Sequence, residues 1–171
     1  MQKFQPEPWL RGTHSEIPAT PRAVLHALEL AQEDLVFWCG ELSDQELVAT
    51  PSGLPSIAFH LRHIARSLDR LLTYAEGRPL NERQLQALSS EANPQCTHSE
   101  IFSELSAALT ESSARILKLG ENADSLNQQR TVGRMNLPTT VAGLLVHIAD
   151  HTQRHVGQAI TTAKMLIAER R

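Results

Sequence analysis

Four stretches of the chain carry apolar residues three or four positions apart, the spacing of an amphipathic helix. They span about residues 20–40, 55–74, 97–120 and 138–168. The apolar stripes contain, in chain order, Val24, Leu25, Leu28, Leu35 and Val36; Ile57, Leu61, Ile64, Leu68, Leu71 and Leu72; Leu105, Leu109, Ile116 and Leu117; and Val141, Leu145, Ile148, Val156, Ala159, Ala163 and Leu166. Alternating β-branched runs and Asn-Gly or Asp-Gly hairpin pairs are absent, so we expect no strands. The pattern predicts an all-α fold, a four-helix bundle.

Capping and breaking residues set the expected helix ends. Thr20 followed by Pro21 predicts the start of the first long helix, and Pro138 with Thr139 predicts the start of the fourth. Capping boxes are predicted at residues 43–46 and 97–100, and Asn81 is expected to cap a short helix. Breaks are expected at residues 51–55, Gly77 to Pro79, and Asn93-Pro94. The linkers are therefore predicted to hold short extra helices.

The chain of 171 residues suits one domain with a full core. Residues 1–19, rich in Pro and turn-forming residues, predict an irregular N-terminal arm anchored by Trp9 and Leu10, and residues 20–171 predict the bundle domain. The polar segment 121–137 is expected to be turn-like and to contact the body through three apolar residues, Val132, Met135 and Leu137.

Composition excludes several classes of function. The net charge is −3 and no basic run is present, which argues against nucleic-acid binding. No apolar run approaches the roughly 18 residues of a membrane span, and no signal peptide precedes the first helix. Cys39 and Cys96 are too few for a disulfide framework. We therefore expect a cytoplasmic protein with no membrane attachment.

Five of the eight histidines fall in two of the predicted helices. His147, His151 and His155 are spaced by four, which stacks their rings on one side of the fourth helix. His60 and His63 lie on the second helix. Imidazole is the commonest metal ligand among side chains. His14, His26 and His98 have no partner at ligand spacing and are left outside the predicted site.

Helical geometry, at about 100° per residue, places the histidines of the fourth helix on one flank of its apolar stripe, closer to the core at His155 than at His147. On the second helix His60 lies nearer the stripe and His63 further round the same flank. A lone histidine on a helix flank is usually structural or solvated. If the two flanks face each other, however, they supply three nitrogen ligands and leave a position for water or substrate, as in catalytic metal sites.

The last helix also carries a family motif. His147-x3-His151-x3-His155-x-Gly157-Gln158 resembles the H-x3-H-x3-H-R-G-Q signature of the DinB-like superfamily. Residues 56–65 resemble that family's second-helix motif, in which a histidine precedes an aliphatic residue and Ala, and the arm at residues 8–12 is similar to some bacterial members. The resemblance covers roughly residues 20–168.

This resemblance implies a DinB-like four-helix bundle that holds a divalent metal ion, usually zinc or nickel. One histidine of the second helix and two of the last would be its ligands, which by motif are His63, His151 and His155. The flank geometry alone mildly favours His60 over His63, so His60 stays the alternative. His147 is interpreted as an outer residue rather than a ligand. The chain departs from the family pattern at Val156, where the family often has Arg.

Known relatives of this kind include thiol-dependent transferases and isomerases, such as mycothiol-dependent maleylpyruvate isomerase and bacillithiol transferases, and proteins labelled metal-dependent hydrolases. The resemblance therefore implies an enzyme that activates a low-molecular-weight thiol or water for reaction with a small-molecule substrate. It also implies a homodimer. The sequence shows no convincing general base, which favours the thiol. Two alternatives stay open: a metal-binding bundle without turnover, acting in a stress response or by dimerisation, and a helical interaction domain.

Overall fold

The computed structural model describes residues 6–91 and 95–170, and the predicted break at Asn93-Pro94 lies outside this part of the chain. The protein is mostly helical (72% helix), as the apolar periodicity predicts. Four helices are long and two are short. In chain order they are α1 (Ala19–Cys39), α2 (Asp44–Val48), α3 (Ile57–Ala75), α4 (Glu82–Ser89), α5 (His98–Gly120) and α6 (Val141–Glu169).

The four long helices pack as a bundle around a shared core. Helix α6 lies against α1 and α3, and α5 lies against the same two helices from the other side. The core is almost entirely aliphatic, with side chains such as Leu28, Leu61, Ile116 and Leu145 fully buried. This arrangement makes α3 and α6, the two histidine-bearing helices, direct neighbours.

The predicted apolar stripes are buried with three exceptions. Val36 is 55% exposed, Leu117 is also exposed, and Leu71 is only partly buried. Each of them is adjacent in sequence to a fully buried apolar residue. Successive helical residues point about 100° apart, so only one of such a pair can face the core squarely.

Capping chemistry explains most helix starts. The capping boxes predicted at residues 43–46 and 97–100 are present at α2 and α5, and the cap expected at Asn81 is present at α4. The start predicted for the first helix is two residues late, because α1 begins at Ala19 with Pro18 at the N-cap. Pro21 instead lies within the first turn, where its missing N–H leaves no helical hydrogen bond unmade.

A short hairpin precedes α6, so the expectation of no strands is wrong in this segment. Strands β1 (Gln129–Val132) and β2 (Leu137–Thr140) pair antiparallel. Pro138 lies in β2 and does not start the helix. The helix is capped by Thr140, whose hydroxyl accepts a hydrogen bond from the Gly143 N–H at 3.0 Å. The strands have four residues each and a turn without Asn-Gly, too little for a periodicity signal.

Two of the three apolar residues predicted to attach this segment to the body do not do so. Met135 is 82% exposed and Leu137 is also exposed, whereas Val132 is partly buried. The Arg130 guanidinium makes the contact instead, donating from Nε to the carbonyl of Ala75 at the end of α3 at 2.7 Å. An unpaired helix-end carbonyl is a natural acceptor for such a donor.

The N-terminal arm also differs from expectation. Trp9 and Leu10, predicted to anchor it, are 60% and 57% exposed. Pro8 is the buried residue of this turn. The Arg11 guanidinium forms a two-pronged ion pair with Glu33 on α1, at 2.6 and 2.7 Å. Polar contacts, rather than the two large apolar side chains, therefore hold the arm.

Two further observations bear on the class of protein. Within residues 6–91 and 95–170, no helix combines the length and apolarity that crossing a bilayer requires. Cys39 is fully buried in the core, and burial raises the pKa of its thiol to about 12. A thiol in this state is a packing group and not a nucleophile.

Core packing predicts a sharp contrast between two adjacent residues of α1. Leu35→Ala should lower the free energy of unfolding by about 2–5 kcal/mol, because Leu35 is fully buried and its truncation leaves a cavity. Val36→Ala should change it by no more than about 0.5 kcal/mol, because this side chain faces solvent. Urea unfolding of both variants measures the difference. Equal destabilisation would contradict the packing described for α1.

Candidate metal centre

The start of α3 is fixed by a side-chain cap that also sets the position of its histidines. The Ser56 hydroxyl accepts a hydrogen bond from the Phe59 N–H at 3.1 Å, so the helix begins at Ile57. His60 and His63 consequently lie in the first two turns. The stripe of α3 faces the core, which leaves the flank with the two histidines beside α6.

The packing of α3 against α6 brings together the three predicted ligands His63, His151 and His155. Each offers one ring nitrogen, and these nitrogens lie within 4.8 Å of one another. His63 Nε2 and His151 Nε2 are 2.9 Å apart. The ring centroid of His155 lies 4.4 Å from that of His63 and 4.7 Å from that of His151. Three imidazoles from two helices thus converge on one point.

A buried carboxylate orients the ring of His63. Glu91 is 4% exposed, and its Oε2 lies 2.7 Å from His63 Nδ1. An ionised carboxylate can only accept, so Nδ1 carries a proton, and Nε2 is the nitrogen that faces the ring of His151. A carboxylate behind a histidine is the usual support for a metal-ligating ring.

The charge on Glu91 is itself compensated. Burial raises the pKa of this carboxyl group, but hydrogen bonds from His63 and from the Arg70 guanidinium more than offset that effect, so its pKa is below the usual value. Arg70 lies two turns along α3 from His63. The array of arginine, carboxylate and imidazole is therefore continuous, and it keeps Glu91 ionised inside the fold.

His60, the alternative ligand from flank geometry, has a different position. It is 1% exposed, and its Nδ1 lies 3.0 Å from Nδ1 of His155. His60 thus lies behind His155 on the core side and is not part of the group formed by His63, His151 and His155. This contact occupies Nδ1 of His155 and leaves its Nε2 for the group formed with His63 and His151.

Electrostatics keep three of the clustered rings neutral. Burial, followed by the effect of neighbouring histidines, lowers the pKa of His60, His151 and His155 from 6.5 to about 4 in each case. Arg154 contributes further to this lowering at His151 and His155. Neutral imidazoles are the form that binds metal. The cluster is thus ready to donate at pH 7.

The outer residues of the motif have lesser roles. His147 is exposed, with its ring centroid 5.5 Å from that of His151. Asp150 forms an exposed ion pair with Arg154 one turn along α6. At Gly157, a methyl group in place of the hydrogen would meet no atom within 4 Å, so packing does not require glycine there.

Two neighbours of the cluster escaped the sequence analysis. Phe59 stacks on His63, with ring centroids 5.6 Å apart and planes at 20°. Its position next to His60 was a usable local signal. Glu91 had no such signal, because it follows His63 by 28 residues and reaches the cluster only through the fold.

Comparison with known proteins agrees with the fold and the motif. The family model of the DinB superfamily matches residues 27–159, which include α3 and the part of α6 that carries its histidines, and the chain belongs to this superfamily. No curated protein matches the chain at a significant level. The family assignment therefore rests on the match to the superfamily as a whole.

The lowered pKa values predict that the metal-free protein loses stability as the pH falls. The unfolded chain binds protons at these histidines below about pH 6.5, whereas the folded cluster stays neutral until about pH 4. Protonation therefore favours unfolding across that range. The free energy of unfolding in urea should be lower at about pH 5 than at about pH 7.

Two variants separate the cluster from other titrating groups. His155→Gln removes one of the shifted rings and should reduce this pH-dependent loss. His147→Gln, at an exposed position on the same helix face, should reduce it much less, because His147 is only a minor cause of the lowered pKa of His151. Identical pH profiles for the wild type and His155→Gln would contradict the role given to the cluster.

Proposed function

We propose that His63, His151 and His155 hold a divalent metal ion and that the protein is a metal-dependent enzyme. The supporting observation is the convergence of three imidazoles from two helices, with nitrogens within 4.8 Å of one another. The proposed ions are zinc and nickel, since imidazole suits both. Three protein ligands leave a coordination position for a substrate, as catalytic sites require.

The residues around the three rings fit such an ion. Glu91 fixes the proton of His63 on Nδ1 and leaves Nε2 as the donor. His60 occupies Nδ1 of His155 and orients that ring. A divalent ion bound here would supply Lewis acidity to a coordinated water or thiol. Because all three ligands are uncharged, no ligand would reduce the positive charge of the site.

The surrounding groups favour a small thiol over water as the activated nucleophile. Hydrolysis is helped by a protein base that takes a proton from water. In the described part of the chain, Glu91 is the one carboxylate in hydrogen-bond contact with the three rings, and it is engaged by His63 and Arg70. We therefore propose an S-transferase type of reaction on a small electrophile, with hydrolysis as the other form of the same chemistry. The homodimer stays a prediction.

Removing one ligand tests this proposal. His151→Ala should lose one divalent ion per chain, and thiol-dependent turnover should fall by about 100-fold or more, because loss of a ligand exceeds the effect of losing a supporting residue. The measurements are the metal content of untagged protein after equilibrium dialysis, and consumption of electrophiles with a panel of cellular thiols.

The control is His147→Ala, one turn away on the same helix and exposed. It should retain the wild-type metal content and rate. Full metal content in His151→Ala would overturn the ligand assignment. A bound ion with no turnover for any thiol or hydrolysable ester would instead favour a metal-binding bundle without catalysis.

The contact of Glu91 with His63 predicts an effect on metal affinity. Glu91→Gln keeps the shape of the side chain but removes the charge that faces His63 and Arg70. Metal affinity at the three-histidine site should fall by about 10–100-fold, measured by competition with a chelating dye.

Glu104→Gln is the matched control for this variant. Glu104 lies on α5, and its carboxylate pairs with Arg62 and Arg66 of α3, the helix that carries His63. It does not pair with a histidine. Metal affinity should stay at the wild-type value. Equal weakening in both variants would show that the effect of Glu91 comes from general charge near α3 and not from its contact with His63.

A further inference from the structure

The N-terminal arm lies against the middle of α1, and several polar side chains connect the two. Arg11 pairs with Glu33, and the Thr13 hydroxyl lies 3.1 Å from Nε2 of His26. Trp9 and Leu10 point into solvent, so the arm buries apolar surface mainly at Pro8 and Ile17. The polar groups between the arm and α1 add to this attachment.

A second group of metal-ligand side chains lies at this junction. His14 of the arm meets His26 and Glu29 of α1, and one ligand atom from each lies within 4.8 Å of the other two. His26 and Glu29 are three residues apart and therefore share a face of the helix. His14 Nε2 lies 2.7 Å from Oε1 of Glu29, and the two imidazole rings are 5.6 Å apart.

The placement of each side chain fits a bound cation. His26 is buried, 7% exposed, so one ligand is held rigidly in the fold. The side chains of His14 and Glu29 are 30% and 38% exposed, which gives an ion a path from solvent. A simple hydrogen bond between His14 and Glu29 would not need a second imidazole beside it. His14 also has a φ of +58°, a conformation that costs energy in a residue other than glycine.

We propose that His14, His26 and Glu29 form a second divalent-cation site, distinct from the three-histidine centre, which clips the arm to α1. Two imidazoles and one carboxylate are a known donor set for zinc. Its ligands come from the arm and α1, whereas those of the first centre come from α3 and α6, so the two sites share no residue. A cation bound at this site would link His14, which precedes the start of α1 at Ala19, to the body of that helix.

Metal content tests the second site with Zn²⁺ as the probe. Untagged wild-type protein should retain two ions per chain after equilibrium dialysis. His14→Ala combined with Glu29→Gln should retain one, as should His151→Ala combined with His155→Ala, and the protein with all four changes should retain none. Glu16→Gln, an exposed carboxylate of the same arm, should retain two.

Proteolysis of the arm gives a readout that the first centre cannot produce. In the His151→Ala, His155→Ala background, saturating Zn²⁺ should slow tryptic cleavage after Arg11 by about tenfold or more, because binding favours the attached arm. Adding His14→Ala and Glu29→Gln should abolish this effect of Zn²⁺, whereas adding Glu16→Gln should preserve it.

The outcomes separate the two sites. One ion per chain that is lost with His14→Ala and Glu29→Gln would support the second site and overturn the first. One ion that is lost only with His151→Ala and His155→Ala, or a cleavage rate that Zn²⁺ does not alter, would overturn the second site and leave the first intact. A protein that binds no ion would overturn both.

Discussion

The contact between α3 and α6 is the constraint on which the site depends. Leu61 and Ile64 of α3, and Leu145 and Ile148 of α6, are fully buried in the shared core. Their burial fixes the rotation of each helix about its axis, because a close-packed core tolerates little reorientation. The histidines lie on the flanks of these stripes, so the hydrophobic core determines which imidazole nitrogens meet.

Burying imidazoles in this position has an electrostatic consequence. Desolvation and mutual proximity disfavour protonation, so His151 and His155 stay neutral at pH values where exposed histidines begin to charge. Glu91 balances the cluster by orienting His63, and Arg70 in turn balances Glu91. The same surroundings keep these rings free of protons at pH 7, so their lone pairs stay available to a cation.

Arginine side chains contribute to the attachment of both segments outside the bundle. Arg130 fastens the hairpin to the end of α3, and Arg11 fastens the arm to α1, while Met135 and Trp9 extend into solvent. An attachment made by ion pairs responds to salt and to bound ligands more strongly than one made by burial of apolar side chains. An ion at the arm would therefore change the attachment of that segment without disturbing the core.

Local sequence determined the helices, since apolar spacing and capping boxes act within a few residues, and it placed His151 and His155 on one face. It also narrowed the partner on α3 to His60 or His63, and family resemblance selected His63. The tertiary structure alone decided what met across the fold: Glu91 with His63, and His14 with Glu29. These contacts depend on how the helices pack and on the path of the linkers, which local periodicity does not encode. The same is true of the exposure of Met135 and of the short strands of the hairpin.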